Sequence, residues 1–253
     1  MQILVCIKQI PDMEMEFNLD RDSGWLDTPS NPEYKMNAFD EYAVEEALRI
    51  KQEFPDTEIC VVTVGPQRSR EVLQRALGMG ADQGIHIQQE NHTSSSQAAE
   101  LIGGNLQDKY FDLILTGAMS EDNMQGLLPP LLAERLQLPV LNGVVQLEIQ
   151  ADTVRIKREL EGGYSEKFQV SLPAVLSLQS GINTPRYPAL SKLLKAKQAE
   201  FETFNPEEPK TGEKLHCLQK PRQIRKGLWL EGDISSKAEQ LFKILKQKNV
   251  LSL

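Results

Sequence analysis

Short apolar runs alternate along the first half of the chain with longer segments whose apolar residues recur every three or four positions. The short runs, which predict buried strands, cover residues 2–8, 58–64, 84–87 and 112–116. The periodic segments between them predict helices. Repeated alternation of strand and helix is typical of a parallel sheet that is covered by helices on both faces. We therefore predict an α/β fold for this half of the chain.

The ends of the predicted helices are marked by capping residues. The first helix is expected over residues 37–54, and the second is expected to stop at Gly78 and Gly80, because glycine commonly terminates helices. The third begins with the pattern Ser94-x-x-Gln97, in which the two side chains cap each other's backbone N–H groups. These end signals support the helix assignments independently of the apolar periodicity.

The pattern changes after residue 136. Residues 140–149 and 153–159 alternate apolar with polar positions, and a Gly-Gly pair then leads into a third such segment at 167–172. An antiparallel hairpin added to the sheet is the simplest account of these segments. The apolar run at 174–178 predicts one more buried strand.

The last part of the chain looks less like a folded core. From residue 181 onward, prolines and basic clusters interrupt the pattern, which predicts an extended arm. The arm ends in an amphipathic helix that we expect Ser236 and Glu239 to cap. We place the boundary between a folded domain, residues 1–200, and the arm, residues 201–253. The terminal helix either folds back on its own domain or docks on another chain, and we favour docking.

Composition narrows the function classes. The chain has 253 residues and a net charge of −8, which argues against non-specific nucleic-acid binding. No apolar run reaches the roughly 18 residues of a membrane span, and no signal peptide precedes the first strand, so we expect a cytoplasmic protein. The cysteines and histidines show no ligand spacing, which disfavours a disulfide framework or a zinc site. They are Cys6, Cys60, Cys217, His86, His92 and His216.

Loops that follow successive strands form the candidate site. The most prominent is the stretch 111–136, in which a strand, a polar loop and a helix entered through Pro129 and Pro130 follow one another. Such a loop binds anions in open α/β sheets, although an ordinary connection gives the same pattern. The loops at 10–12, 37–40 and 63–66 are expected at the same sheet edge. Together they predict a pocket in which backbone N–H groups hold phosphates and Asn or Asp side chains reach a ribose.

Side-chain catalysis has little support in the sequence. It contains no nucleophile elbow, no His-Glu-x-x-His and no P-loop. The adjacent carboxylates of Glu121 and Asp122 lie in the predicted loop, where a solvated position is the commoner explanation. A nucleotide-sized site without a reactive side chain is the profile of a binding module.

Several motifs together resemble one known family. They are VCIKQIPD, MNAFDEYAVEEALRIK, VVTVGP, ALGMGADQGIHI, VRIKRELEGGYSEKFQVSLPAVLSL and INTPRYPALSKLLKAK, in this order over roughly the first 200 residues. In this combination the chain resembles the β subunit of the electron-transfer flavoprotein. The C-terminal arm matches more loosely and is most similar to subunits from anaerobic and nitrogen-fixing bacteria.

The resemblance implies a Rossmann-like fold of the adenine nucleotide alpha hydrolase type, with a mostly parallel sheet. It also implies an αβ heterodimer in which the α subunit holds the electron-carrying FAD. The β subunit would bind AMP, or in bifurcating members a second FAD that takes electrons from NADH. The arm would dock on the α subunit, and an acyl-CoA or related dehydrogenase would be a transient partner. The chain would then be an electron carrier subunit, with NADH oxidation as an activity of the bifurcating type.

The resemblance also assigns residues. Met13 would lie near the flavin of the α subunit, and the remaining cofactor-binding positions would be Cys6, Asn37, Asp40, Val61, Thr63, Val64, Gly65, Gly117, Ser120, Asp122, Asn123, Met124, Gln125 and Gly126. Leu190 matches an apolar anchor that inserts into partner dehydrogenases. In such a contact, an exposed apolar side chain sets the affinity and the surrounding charges steer the encounter. Its neighbours in this role would be Arg186 and Lys195, and Glu159 would lie close to the same interface.

The loop after Gly117 departs from the family pattern. Met124, Leu127, Leu128 and Pro129 occupy positions where polar phosphate-binding residues and a glycine are expected. A slip of about two residues in the alignment would let Gln125 and Gly126 take these roles. Three outcomes stay open: the pocket holds its nucleotide by backbone N–H groups, holds a different nucleotide, or holds none.

A second function is compatible with the same residues. A stand-alone adenine-nucleotide-binding regulatory protein of related fold would be stable without a partner and would not need Leu190 exposed. An ATP-using ligase or hydrolase is disfavoured, because the first strand is followed by Lys-Gln-Ile-Pro instead of a Ser-Gly-Gly phosphate loop.

Overall fold

The computed structural model describes residues 1–15, 18–19, 26–27, 33–207, 209, 227–248 and 250. In chain order its elements are β1 (Gln2–Cys6), β2 (Gln9–Pro11), β3 (Asn18–Leu19), β4 (Leu26–Asp27), β5 (Tyr34–Met36), α1 (Ala38–Glu53), β6 (Glu58–Gly65), α2 (Arg70–Met79), β7 (Gln83–Gln88), α3 (Ser95–Asn105), β8 (Leu113–Gly117), α4 (Leu128–Leu136), β9 (Val140–Gln150), β10 (Thr153–Glu159), β11 (Ser165–Ser171), β12 (Ala174–Leu178), α5 (Leu190–Ala196), β13 (Glu202–Phe204) and α6 (Ile234–Gln247).

A nine-stranded sheet organises the described part of the chain, in the order β11-β10-β9-β12-β8-β1-β6-β7-β13. Neighbours from β9 to β13 in this order pair in parallel, whereas β10 pairs antiparallel with both β9 and β11. The α/β class, the parallel sheet and the antiparallel addition predicted from the sequence are thus confirmed. Two short antiparallel pairs, β2 with β5 and β3 with β4, lie outside this sheet.

Helices cover both faces of the sheet because alternate side chains of each central strand point to opposite sides. On β1, Ile3 and Val5 share a buried cluster with α1 and α2, while Leu4 and Cys6 share another with α3 and α4. All four of these β1 side chains are at most 3% exposed. Both faces of β1 are therefore buried against helices, as expected for a central strand of a parallel sheet.

Some helix ends differ from the sequence prediction. Gly78 lies inside α2, where its missing side chain leaves room for Leu193, and Gly80 alone forms the C-cap, with a φ of 134°. The capping box of Ser94 and Gln97 is present, but α3 ends at Asn105 instead of Asp108. The terminal helix α6 is capped by Asp233, whose side chain accepts from the N–H of Ser236, so the cap predicted at Ser236 was wrong by three residues.

The chain divides into two units, residues 1–216 and 217–253. The first unit includes β13, which pairs with β7 although it lies beyond the boundary predicted at residue 200. It also includes α5, so the segment from 181 to 204 is not wholly extended as predicted. The second unit contains α6, and docking of this unit on another chain stays a prediction.

No helix among the described residues is long and apolar enough to cross a membrane.

Candidate functional site

An open cleft lies at the carboxyl ends of β1, β6 and β8 and encloses about 700 Å³, part of it open to solvent. The chain runs outward from β1 through β6 to β7 and then returns to β8 on the other side of β1. The carboxyl ends of β1 and β8 therefore form the topological switch point at which open α/β sheets bind ligands.

Asp40, in the first turn of α1, joins two strand ends beneath the cleft. Its carboxylate accepts the backbone N–H of Lys8 at 2.7 Å and that of Gly117 at 3.2 Å. A Cβ on Gly117 would lie 2.4 Å from Asp40 Oδ1, so this close approach requires glycine. Burial raises the pKa of Asp40 to about 7, against the hydrogen bonds and the Lys8 charge, which favour the carboxylate.

Asn37 fixes the loop that follows β8. Its side chain donates to Met119 O at 2.9 Å and accepts the N–H of Glu121 at 3.1 Å. In return, Glu121 accepts the N–H of Ala38 at the start of α1. Asn37 is fully buried, so it acts as a backbone clamp between α1 and the loop.

Lys8 and Asp122 form an ion pair at the cleft. The Lys8 ammonium lies 2.8 and 2.7 Å from the two carboxylate oxygens of Asp122 and 3.4 Å from Ser120 Oγ. Ser120 in turn donates to Asn123 Oδ1 at 2.6 Å. The polar side chains of the loop are thus engaged with one another and with Lys8.

Two helix N-termini face the cleft, that of α3 through Ser94 and Ser95 and that of α4 through Leu128 and Pro129. Backbone N–H groups in the first turn of a helix lack intrahelical partners and favour anions. Pro129 and Pro130 in the first turn of α4 have no N–H, so α4 presents fewer such donors than α3. The cleft therefore offers donors to a negatively charged group.

The cysteines near the sheet are poor nucleophiles. Burial raises the pKa of the Cys6 thiol well above its usual range, and it raises that of Cys60 to about 12. The cleft has no activated thiol among its described residues.

The structure brings together about half of the cofactor-binding positions predicted from the sequence. Those that line the cleft are Cys6, Asp40, Val64, Gly117, Ser120, Asn123 and Gly126. Asn37 and Asp122 do not line the cleft, but they hydrogen-bond to the lining residues Met119 and Lys8. Direct contact of any of them with a nucleotide stays a prediction.

The other predicted positions lie elsewhere. Val61 and Thr63 are buried within β6, and the Thr63 hydroxyl has no hydrogen-bond partner within the described structure. Met13, Met124 and Gln125 are exposed and do not line the cleft. Gly65 is also outside the cleft.

The carbonyl oxygen of Gly65 lies 2.9 Å from Nε2 of the buried His86, whose Nδ1 accepts from Arg70. His86 is thus a hydrogen-bonded core residue. Burial lowers the pKa of His86, as expected for an imidazole within a sheet.

Several lining residues were missed from the sequence, among them Lys8, Thr93, Ser95 and Met119. Two of them had a readable signal. Lys8 is the first charged residue after β1, and Ser95 follows the capping serine of a helix that comes after a parallel strand. Helix N-termini and strand ends meet at the same edge, so both positions could have been inferred.

The segment 183–196 is anchored on α1. Glu45 is 5% exposed and accepts the guanidinium of Arg186 at 2.8 and 2.9 Å and its backbone N–H at 3.1 Å. Asn183 donates to Glu46 at 2.8 Å and to Tyr42 O at 2.9 Å. The charge of Arg186 is thus paired within the chain, and its predicted role in steering a partner stays a prediction.

The apolar residues of this segment point in two directions. Leu193 packs on α2, where a Cβ added to Gly78 would lie 2.7 Å from it. Leu190 is the first residue of α5 and is 73% exposed, as the sequence analysis expected, and Tyr187 is exposed beside it. Lys195 and Glu159 are exposed as well. The partner roles of these residues stay predictions.

Comparison with known proteins agrees with the fold. The family described as "Electron transfer flavoprotein domain" matches residues 28–209. Electron transfer flavoprotein subunit beta of Dictyostelium discoideum is 34% identical over 207 residues, which cover 82% of each chain. The subunit of the same name from Bacillus subtilis is 32% identical over 226 residues, 85% of this chain and 87% of the relative.

A third relative is a subunit of a larger complex. The protein named "Caffeyl-CoA reductase-Etf complex subunit CarD", from Acetobacterium woodii, is 32% identical over 211 residues, 82% of this chain and 79% of the relative. Identity above 30% over most of both chains, together with the family match, indicates membership of one family and not only a shared fold. The chain belongs to the electron transfer flavoprotein family, among its β subunits.

Proposed function

We propose that this chain is the β subunit of an electron-transfer heterodimer that passes electrons between a flavin-dependent dehydrogenase and a second redox partner. The α subunit would hold the electron-carrying FAD. The cleft of this chain would hold AMP or, in a bifurcating complex, a second FAD. The observation that carries the proposal is the cleft at the switch point, whose lining includes two helix N-termini and Lys8.

The side chains of the cleft are suited to binding and not to bond-breaking chemistry. Both oxygens of Asp40 are taken by backbone N–H groups, and the Cys6 thiol is buried and protonated. A flavin, when bound, supplies the electron transfer itself. The residues of this chain would position the nucleotide through the helix N-termini and shield it on the apolar side through Val64, Ile102 and Leu128.

Flavin and nucleotide counting on the purified complex tests this function. The chain is co-expressed with its α subunit, and flavin and adenylate are measured by absorption and by chromatography after acid release. One flavin and one AMP per heterodimer indicate the AMP type, and two flavins indicate the bifurcating type. A colourless chain that never forms a heterodimer would refute the proposal and favour a stand-alone adenine-nucleotide-binding protein.

The contact with the dehydrogenase is proposed to use Leu190, whose side chain is exposed and whose segment, 183–196, is anchored on α1. With an acyl-CoA dehydrogenase as electron donor, Leu190→Ala is expected to raise the KM for the heterodimer about 10- to 100-fold, because apolar anchors carry much of an interface's affinity. The kcat should change little. Tyr110→Ala, at another exposed position outside the segment, is the control. An unchanged KM for Leu190→Ala would exclude this contact.

A further inference from the structure

Lys8 is the one cation, and Asp40 the one carboxylate, among the described residues that line the cleft. Asp40 is 6% exposed, and each of its oxygens accepts a backbone N–H. Its hydrogen-bonding capacity is therefore directed into the protein. The electrostatic character of the cleft is set by Lys8 together with the N-termini of α3 and α4, and both favour an anion.

The hydrogen-bonding capacity of the Lys8 ammonium is already used. An ammonium group has three donors, and here they meet the two oxygens of Asp122 and the hydroxyl of Ser120. Asp122 itself is not part of the cleft lining. Any anion that binds Lys8 must consequently replace at least one of these contacts.

The loop between β8 and α4 offers little else to a phosphate. Met124, Leu127 and Leu128 in this loop carry apolar side chains, and the first two are exposed at 63% and 39%. The side chains of Ser120 and Asn123 are hydrogen-bonded to each other. Lys8 is thus the strongest side-chain donor that the cleft presents to an anion.

We propose that Lys8 binds the phosphate of a nucleoside phosphate in this cleft and that Asp122 is an internal competitor, which the phosphate displaces from Lys8. The inference rests on the proposed function, since it assumes that the cleft takes an adenine nucleotide. To the proposed function the inference adds Lys8 as the residue that recognises the phosphate, and Asp122 as a carboxylate whose removal strengthens phosphate binding.

Calorimetric titration with AMP and with adenosine tests both parts. The full chain, freed of bound nucleotide, is compared with the variants Lys8→Met, Lys8→Arg and Asp122→Asn. Lys8→Met is expected to weaken AMP binding about 10- to 100-fold, because a charge-assisted hydrogen bond is lost, and to leave adenosine binding unchanged. Lys8→Arg should keep most of the preference for AMP over adenosine. Asp122→Asn should strengthen AMP binding at least about 3-fold without affecting adenosine.

The opposite results overturn the inference. An AMP preference that survives in Lys8→Met would remove Lys8 from the phosphate site. An Asp122→Asn variant that loses AMP affinity would show Asp122 to be a supporting residue and not a competitor. Circular dichroism verifies folding, and Lys8→Arg with Asp122→Asn suffice if Lys8→Met does not fold. Failure of the unmodified chain to bind either adenosine or AMP would instead refute the nucleotide function, and the inference with it.

Discussion

Helix α1 supports two functional regions in chemically different ways. In its first turn, Asp40 holds the cleft by accepting backbone N–H groups of Lys8 and Gly117. Farther along the helix, Glu45 holds segment 183–196 mainly through the guanidinium of Arg186. At the cleft, Asp40 thus binds backbone N–H groups, which almost every residue carries, whereas segment 183–196 is held by one particular pair of side chains.

This difference determines how each region responds to substitution. At the cleft, a residue that donates to Asp40 can be substituted and still keep its backbone N–H. A side chain added at Gly117 is excluded, however, because α1 comes too close to the backbone there. In segment 183–196, removing one side chain leaves a buried carboxylate without its charge partner. The predictions below test this contrast, from the largest expected effect to the smallest.

The pH dependence of stability should report the burial of Asp40. Its folded pKa of about 7 is above the usual value of 3.8, so between these pH values the folded protein retains a proton that the unfolded chain releases. The contribution of Asp40 to the free energy of unfolding therefore falls as pH rises through this window, by up to about 1.4 kcal/mol per pH unit and about 4 kcal/mol in total.

Urea denaturation of the unmodified chain and of Asp40→Asn from pH 4 to 8 measures this effect. The variant cannot titrate at this position, so the difference in unfolding free energy between the two proteins should fall towards pH 7 and then level off. Parallel curves across the range would show that Asp40 keeps an ordinary pKa.

Gly117→Ala should disturb the cleft through the backbone. The new Cβ would lie 2.4 Å from Asp40 Oδ1 and 2.8 Å from the carbonyl carbon of Phe39, so the end of β8 must move away from α1. Overpacking of this kind costs about 3 kcal/mol. Gly104→Ala in α3 is the matched control, since nothing lies within 4 Å of its Cβ and alanine favours a helix. Equal stability of the two variants would contradict the close contact.

Much of the architecture followed from the sequence because the central strands are buried on both faces. Continuous apolar runs at β1, β6 and β8, and alternating ones at β9 to β11, are long enough to specify strand and pairing type. By contrast, β13 has three residues and is held by contacts with residues that are distant in the sequence, such as the hydrogen bond from Arg70 to Thr203 at 2.7 Å. Local patterns do not carry such information.

The candidate site was predicted only in outline for a related reason. The loops after the strands included Val64 and Gly117, and the family resemblance assigned Cys6; all three line the cleft. The partners of Asp40 were not predictable, because a backbone N–H leaves no mark in the sequence. Arg186 carried a readable charge, yet the sequence could not show that Glu45 lies against it. Residue type indicated the capacity for an ion pair, and the fold decided its partner.

Arg186→Ala should loosen segment 183–196 while leaving the cleft intact. The substitution leaves the carboxylate of Glu45 buried without its ion-pair partner, at a cost of about 2 kcal/mol. Because the segment can detach locally, amide hydrogen exchange is the suitable measurement, and faster exchange is expected in 183–196 but not in β8. Lys195→Ala, at an exposed position of the same segment, is the control. Uniform acceleration in both regions would contradict separate anchoring.

Ser94→Ala should have the smallest of these effects. Ser94 accepts the N–H of Gln97 at 3.3 Å, and Gln97 accepts the N–H of Ser94 at 3.0 Å, so the substitution breaks one half of a reciprocal cap. The expected loss of unfolding free energy is about 1 kcal/mol, whereas Ser94→Gly should lose only about a few tenths, since glycine tolerates the cap conformation. Urea denaturation of both variants measures the difference.

Ser94 also lines the cleft, so the uncapped helix would present one more unpaired N–H to a bound anion. Ser94→Ala should therefore lower stability without lowering affinity for AMP. A loss of AMP affinity larger than that caused by Lys8→Met would mean that the hydroxyl of Ser94, and not the ammonium of Lys8, is the main phosphate donor.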